Sequence, residues 1–188
     1  MSHSLRGQFL IAGKNLKDTN FYKTVVLIVE HGDEGAMGIV VNRPSSVKVA
    51  HALSEHFELP DDDNVVYLGG PVEPGALFIL HNAPELDEQE KPVVPGLYVA
   101  SSAEVFEDVI KAASQGQVGL DYHVFCGCAG WAPGQLEGEL ARGDWYLHPA
   151  DACALFQTDP YELWDCQVAN VNQANRILPH TPTNPEWN

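Results

Sequence analysis

Three groups of side chains in this 188-residue chain have the types and spacing to do chemistry. Glu30 and His31 are adjacent, and His81 follows a second apolar run. A histidine beside a carboxylate can act as a general base, because its ordinary pKa of about 6.5 lets it take and give a proton near neutrality. His123, Cys126 and Cys128 put an imidazole and two thiols in one short span. The stretch Gly130-Trp131-Ala132-Pro133-Gly134-Gln135-Leu136-Glu137 combines flexible turn residues with an amide and a carboxylate at what reads as a helix start. Free N–H groups there favour an anion, and Gln135 could present its amide to one.

Each group also has a plainer reading. A histidine at a strand end commonly caps backbone groups or packs on an aromatic ring. No GxSxG and no cysteine in a recognisable nucleophile motif accompanies Glu30, His31 and His81. Strand alternation sets Cys126 and Cys128 on one face and His123 on the other. Paired zinc cysteines are usually separated by roughly two to four residues, not one. No metal or other cofactor is therefore expected, and the thiols read as small buried hydrophobes. The glycine-rich turn lacks the GK[ST] and GxGxxG spacings, and Glu137 and Glu139 already use the helix dipole. It reads as a structural turn with Trp131 as its buried anchor.

The elements that must position these groups are legible in outline. Gln8–Ala12 reads as a short strand, 18–22 as a turn, and Thr24–Glu30 as a β-branched run buried on both faces. Ala36–Asn42 returns as its hairpin partner. Laying Val25–Pro44 over Val65–Pro84 aligns Val25 with Val65, Val26 with Val66, Gly35 with Gly75, Ala36 with Ala76, Ile39 with Ile79, Asn42 with Asn82 and Pro44 with Pro84. A second hairpin of the same geometry is expected, with Asn42 and Asn82 closing their strands as Asx turns. Ser45 or Ser46 is placed to cap a helix bearing Val49, Ala50, Leu53 and Phe57. Ser101-Ser102-Ala103-Glu104 resembles a capping box opening a helix with Val105, Val109, Ile110 and Ala113 inward, stopped at Gly116. Gly119–Cys128 reads as a strand, and Pro133 can start a helix through Leu140. Asp159-Pro160-Tyr161-Glu162 opens a helix to about Asn175 that buries Leu163, Trp164 and Val168. The segment 82–95 reads as a surface loop.

Ten lysines and arginines against 26 acids leave a net charge of −16, and protonating all eight histidines would remove only half of it. The basic residues are scattered singly, so no surface is ready to neutralise phosphates, and direct nucleic-acid binding is not expected. Four irregularly spaced cysteines do not form a disulfide framework. No signal sequence or membrane-length apolar run is present, so a cytoplasmic location and no membrane association are expected.

The segments Glu30–Pro44 and Ala129–Leu140, with Gly69-Gly70-Pro71-Val72 and Leu80-His81 between them, together resemble the motif set of the AlgH/YqgE family of bacterial proteins. The resemblance runs from about Gly7 to Trp145. It implies an α+β fold: one compact domain with a mixed, curved, partly barrel-like sheet and flanking helices. The expected bounds are 1–180 for the domain and 181–188 for a loose tail. The family usually has an aromatic residue where this chain has Cys128, so thiol chemistry there would be this chain's own. The family's namesake has been cast as a transcriptional regulator. With this charge, such a role here would be indirect, through a protein or small-ligand partner. The candidate ligand or partner site comprises Glu30, His31, Asn42, His81, Trp131, Gln135 and Glu137, with no residue assigned as catalytic. The alternative is a small-molecule enzyme using Glu30, His31 and His81. A convergent, partly buried pocket joining them to Gln135 and Glu137 would favour the enzyme; scattered, hydrogen-bonded side chains would favour the binding protein.

Overall fold

The computed structural model describes residues 4–16, 18–88, 90–100 and 102–177. Ser101 of the capping pattern and the tail expected at 181–188 lie outside these residues. The described chain forms an α+β domain around a nine-stranded mixed sheet that bends strongly without closing. β1 (Gln8–Ala12) and β2 (Val25–Gly32) pair antiparallel, and β2 pairs with β3 (Gly35–Val40) across a two-residue turn. The apolar run of β2 is buried from Val25 to Val29, as its composition requires. One core cluster contains it together with Leu163, Trp164 and Val171 of α5 (Leu163–Ile177) and with Tyr67, Leu80 and Phe125 from the far half of the sheet. β9 (Trp145–Pro149), unread in the sequence, pairs antiparallel with the outer edge of β1.

The expected second hairpin does not form. β5 (Val65–Leu68) and β6 (Val72–His81) are not partners of each other, because β8 (Tyr122–Trp131) pairs with both, parallel to β5 and antiparallel to β6. The end of β8 then pairs with β3 through Ala129–Trp131. One strand thus joins the two halves of the sheet, and it bends at Gly127, whose φ is +73°. There the Gly69-Gly70-Pro71 connection crosses β8 backbone to backbone. A Cβ on Gly70 would strike the Cys128 carbonyl, and one on Gly127 the Gly70 carbonyl. The local likeness of the two apolar pairs survives in another form. Asn42 Oδ1 accepts from Val25 N–H while its amide donates to the Lys23 carbonyl; Asn82 Oδ1 accepts from Asp121 N–H while its amide donates to the Gly119 carbonyl. Each asparagine clamps the entry to the neighbouring strand, β2 or β8, instead of forming the expected local Asx turn.

The helix expected from Ser45 or Ser46 begins later. Residues 44–48 are strand β4, and α1 is the short Val49–Ala52 with no side-chain cap. Val49 and Leu53 nevertheless face the second core cluster, with Phe57 packed on it. That cluster lies between β5, β6, β8 and α2 (Ala103–Ser114), which opens on Ser102, its hydroxyl accepting from Val105 N–H at 3.3 Å. Ala112, rather than Ala113, completes the buried face with Val109 and Ile110. β7 (Tyr98–Val99) pairs with the end of β6. α3 (Gln135–Ala141) follows β8, and α4 (Ala152–Gln157) is capped by Asp151. Asp159 opens a turn rather than the helix expected of it, and α5 itself begins at Leu163. The 82–95 loop is less superficial than expected: Ala83, Asp87 and Val93 are buried. Among the described residues, no helix is long and apolar enough to cross a membrane.

Candidate functional site

At the turn from β8 into α3, Gly134 adopts φ +75° and serves as N-cap without a side chain, reversing the chain in one residue. Gln135 then folds back: its Oε1 accepts from Ala132 N–H at 3.0 Å and its Nε2 donates to Glu139 Oε1 at 2.9 Å. Glu139, one helical turn on, is the hub of the region. Its Oε2 accepts from the indole N–H of Trp131 at 2.9 Å and from that of Trp145 at 2.8 Å. Both tryptophans are buried, and Phe21 packs on each, edge-on to Trp145 at 5.4 Å and stacked on Trp131 at 6.3 Å. A cleft of about 390 Å³ beside them is lined by Asp18, Phe21, Gln135, Arg142 and Asp144 among others. Arg142 there is paired with Asp144 at 2.6 Å.

His31, at the end of β2, has both ring nitrogens engaged. Nδ1 accepts from Leu5 N–H at 3.1 Å, which leaves the proton on Nε2 to be donated to Glu137 Oε1 at 2.8 Å. The imidazole is only 4% exposed, whereas Glu137 is half exposed. Glu137 is held below the usual carboxylate range, first by its own backbone N–H in the first turn of α3 and then by His31. A neutral His31 with its acceptor nitrogen already used has no lone pair free to act as a base. Glu30 is exposed and lines a separate cleft of about 310 Å³ with Arg6, Met37, Phe78 and Glu90.

His81 is elsewhere, and its expected convergence with His31 is not seen. It is fully buried, stacked on Tyr98 at 5.6 Å, with Nδ1 accepting from Ala83 N–H and Nε2 without a partner. Burial lowers its pKa, against the pull of Asp87 and Glu85. The physical reason for the separation is the insertion of β8 between the two strand pairs, which sends the end of β6 toward β7 instead of toward β2. His123 is enclosed by Tyr67, Phe125 and Phe156, and desolvation brings its pKa down to about 4. Cys126 packs on the second core cluster and burial raises the Cys128 thiol. Among the described residues, no three histidine, cysteine or acidic side chains converge as a metal would need.

Residues 9–175 match the AlgH-like family. The chain belongs to that family. Relatives include a UPF0301 protein of Rhizobium meliloti, 35% identical over 93% of this chain and 90% of its own. A UPF0301 protein of Thioalkalivibrio sulfidiphilus is 36% identical over 90% and 91% of the two chains. The solution structure of the AlgH protein from Pseudomonas aeruginosa superimposes with a TM-score of 0.71 at 33% identity, covering 96% of this chain and all of that one. A crystal structure of a Corynebacterium diphtheriae protein, 21% identical with a TM-score of 0.72 over 90% and 88% of the chains, shares the fold.

Of the AlgH-like motif segments, Glu30–Pro44 and Ala129–Leu140 thus meet where β3 pairs with the end of β8, and Leu80-His81 lies at the other end of that strand. His31, Trp131, Gln135 and Glu137 come together around α3, while Glu30 points into a neighbouring cleft and Asn42 and His81 lie apart. Sequence reasoning missed Glu139 as the hub, Trp145 as its second donor, and Arg6. The Arg6 guanidinium donates to the carbonyls of Val29, Lys91 and Pro92. Glu139 lies four residues after Gln135, a spacing that places them on one helix face and could have flagged the pair. Nothing local signals carbonyl partners 85 residues away.

Proposed function

We propose that this AlgH-like protein is a cytoplasmic, non-catalytic binding protein, and that any effect on gene expression is exerted through a protein or small-molecule partner. The observation that carries this reading is the doubly bonded His31. Its acceptor nitrogen is taken by Leu5 N–H and its proton is committed to Glu137. Its neighbours are saturated in the same way, Glu139 by three donors and Gln135 at both ends of its amide. Groups that must trade protons with a substrate need a free lone pair or a releasable proton in reach of it. The net charge of −16 with dispersed bases supports an indirect role rather than contact with DNA.

The test is to incubate the protein with a bacterial metabolite extract in large molar excess and follow every compound by mass spectrometry. Depletion of a compound to no more than one equivalent per chain is expected. Conversion of any compound well beyond one equivalent, lost in His31→Gln, overturns the reading. Sub-micromolar binding of duplex DNA with a steep salt dependence would overturn its second half.

A further inference from the structure

The largest cavity among those described, about 820 Å³, lies away from the turn into α3, between β6, α2 and the turn after α1. Its volume is that of a small-molecule site. Its floor and walls are apolar: Ile79 and Leu77 from β6, Phe106 and Ala103 from α2, and Phe57. Ile79 is fully buried, whereas Leu77 keeps 44% of its surface exposed, so apolar area faces the void unpartnered. Phe57, Leu77 and Phe106 come from three different elements, which makes a concave site instead of a flat patch.

The polar side chains lining it are Lys111, His56, Glu107 and Ser102. Lys111 is one of only ten basic residues in a chain with 26 acids, and it stands at this apolar void. Its ammonium lies 3.6 Å from Glu107 and 3.9 Å from Asp108, beyond hydrogen-bond length, with all three side chains more than half exposed. Exposed pairs of this kind contribute little and yield readily to another anion. Glu107 and the negative field of the whole chain act against polyanions, so the matching head carries a single charge.

From this arrangement we infer that the cleft between β6 and α2 binds an amphipathic monocarboxylate, with its apolar body among Phe57, Leu77, Ile79 and Phe106 and its carboxylate at Lys111 and His56. The inference deepens the binding-protein reading by naming a ligand class, and it rests on that reading only in that the ligand leaves unchanged.

Decanoate and 1-decanol, titrated calorimetrically and in competition with 1-anilinonaphthalene-8-sulfonate, test it. Decanoate should bind one per chain, displace the dye and be recovered intact. Lys111→Glu should weaken decanoate about fivefold, as loss and reversal of one exposed charge does, and leave decanol within a factor of about two. Ala103→Phe, at an exposed position facing the void, should abolish binding of both while leaving the circular dichroism spectrum unchanged. Absence of saturable decanoate binding up to about 1 mM, equal decanoate affinity in Lys111→Glu, or wild-type affinity in a folded Ala103→Phe variant would each overturn the assignment. None of these touches the non-catalytic reading, which fails instead if decanoate is recovered chemically altered.

Discussion

Replacing Gly127 by alanine probes the crossing that bends the sheet. Gly127 has φ +73°, a conformation that costs an L-residue roughly 1–2 kcal/mol. Its new Cβ would also strike the Gly70 carbonyl oxygen and lie 3.1 Å from that of Val72. Both obstacles are backbone, so β8 and the 69–72 segment must separate. That separation strains the bonds from Gly69 N–H to the Cys126 carbonyl, 2.7 Å, and from Val40 N–H to the Gly69 carbonyl, 2.8 Å. At about 1 kcal/mol each, their loss brings the expected destabilisation to roughly 3–4 kcal/mol. Gly134→Ala is the matched control. Its φ is +75°, yet a Cβ there meets nothing within 4 Å, so only the conformational cost of about 1 kcal/mol applies. Urea unfolding followed by far-ultraviolet circular dichroism gives both values. If the two variants differ by less than about 0.5 kcal/mol, the crossing is not what makes Gly127 obligatory, and the account of the bend fails.

Trp131→Ala should cost roughly 3–5 kcal/mol in the same melts, because it empties a buried aromatic site and removes a donor from Glu139; a melt like wild type would refute its role as an anchor. Glu139→Leu should destabilise by about 2 kcal/mol or more by stranding two indole N–H groups, and its effect should be largely absorbed in a Trp131→Phe/Trp145→Phe background; strict additivity would contradict a shared acceptor. His31→Ala should cost clearly less than Trp131→Ala, about 1–2 kcal/mol for two hydrogen bonds, and equal losses would show that the tie to Glu137 matters more than the aromatic core. Because the pKa of His123 falls from 6.5 to about 4 on folding, the unfolded chain binds more protons between those values. Stability should therefore decline as pH falls below about 6.5, with about 1 kcal/mol from this residue by pH 5.5, and His123→Phe should flatten that slope; an unchanged slope would exclude His123 as its source.

The buried run of β2, the stop of α2 at Gly116 and the glycine-rich turn before α3 were legible because each is written in consecutive residues. What misled was the repeat between 25–44 and 65–84. Strand identity is local, but partner choice is not, and nothing within 65–84 announces that β8 will enter between β5 and β6. The two asparagines show the same limit, since their side chains reach 17 and 39 residues away to clamp β2 and β8. α4 escaped because a six-residue helix carries too little periodicity. In the candidate site, His31 and Glu137 were both singled out and do meet, whereas His81 was grouped with them through a hairpin that does not exist. The cleft beside α2 left no trace, as Phe57, Leu77 and Phe106 come from elements whose adjacency only the folded sheet creates.

The position of β8 late in the chain also sets the order of events at the ribosome. β3, β5 and β6 all await this one partner, and the outer edge of β1 waits longer still, for residues 145–149. At ordinary translation speeds roughly 3–10 s pass between synthesis of His81 and of Trp131. During that interval the nascent chain carries finished strands with unpaired edges and open apolar faces. The pairing that joins the two halves of the sheet is consequently a late event, and a chain interrupted before Tyr122 is an aggregation-prone fragment that the cell must hold or degrade.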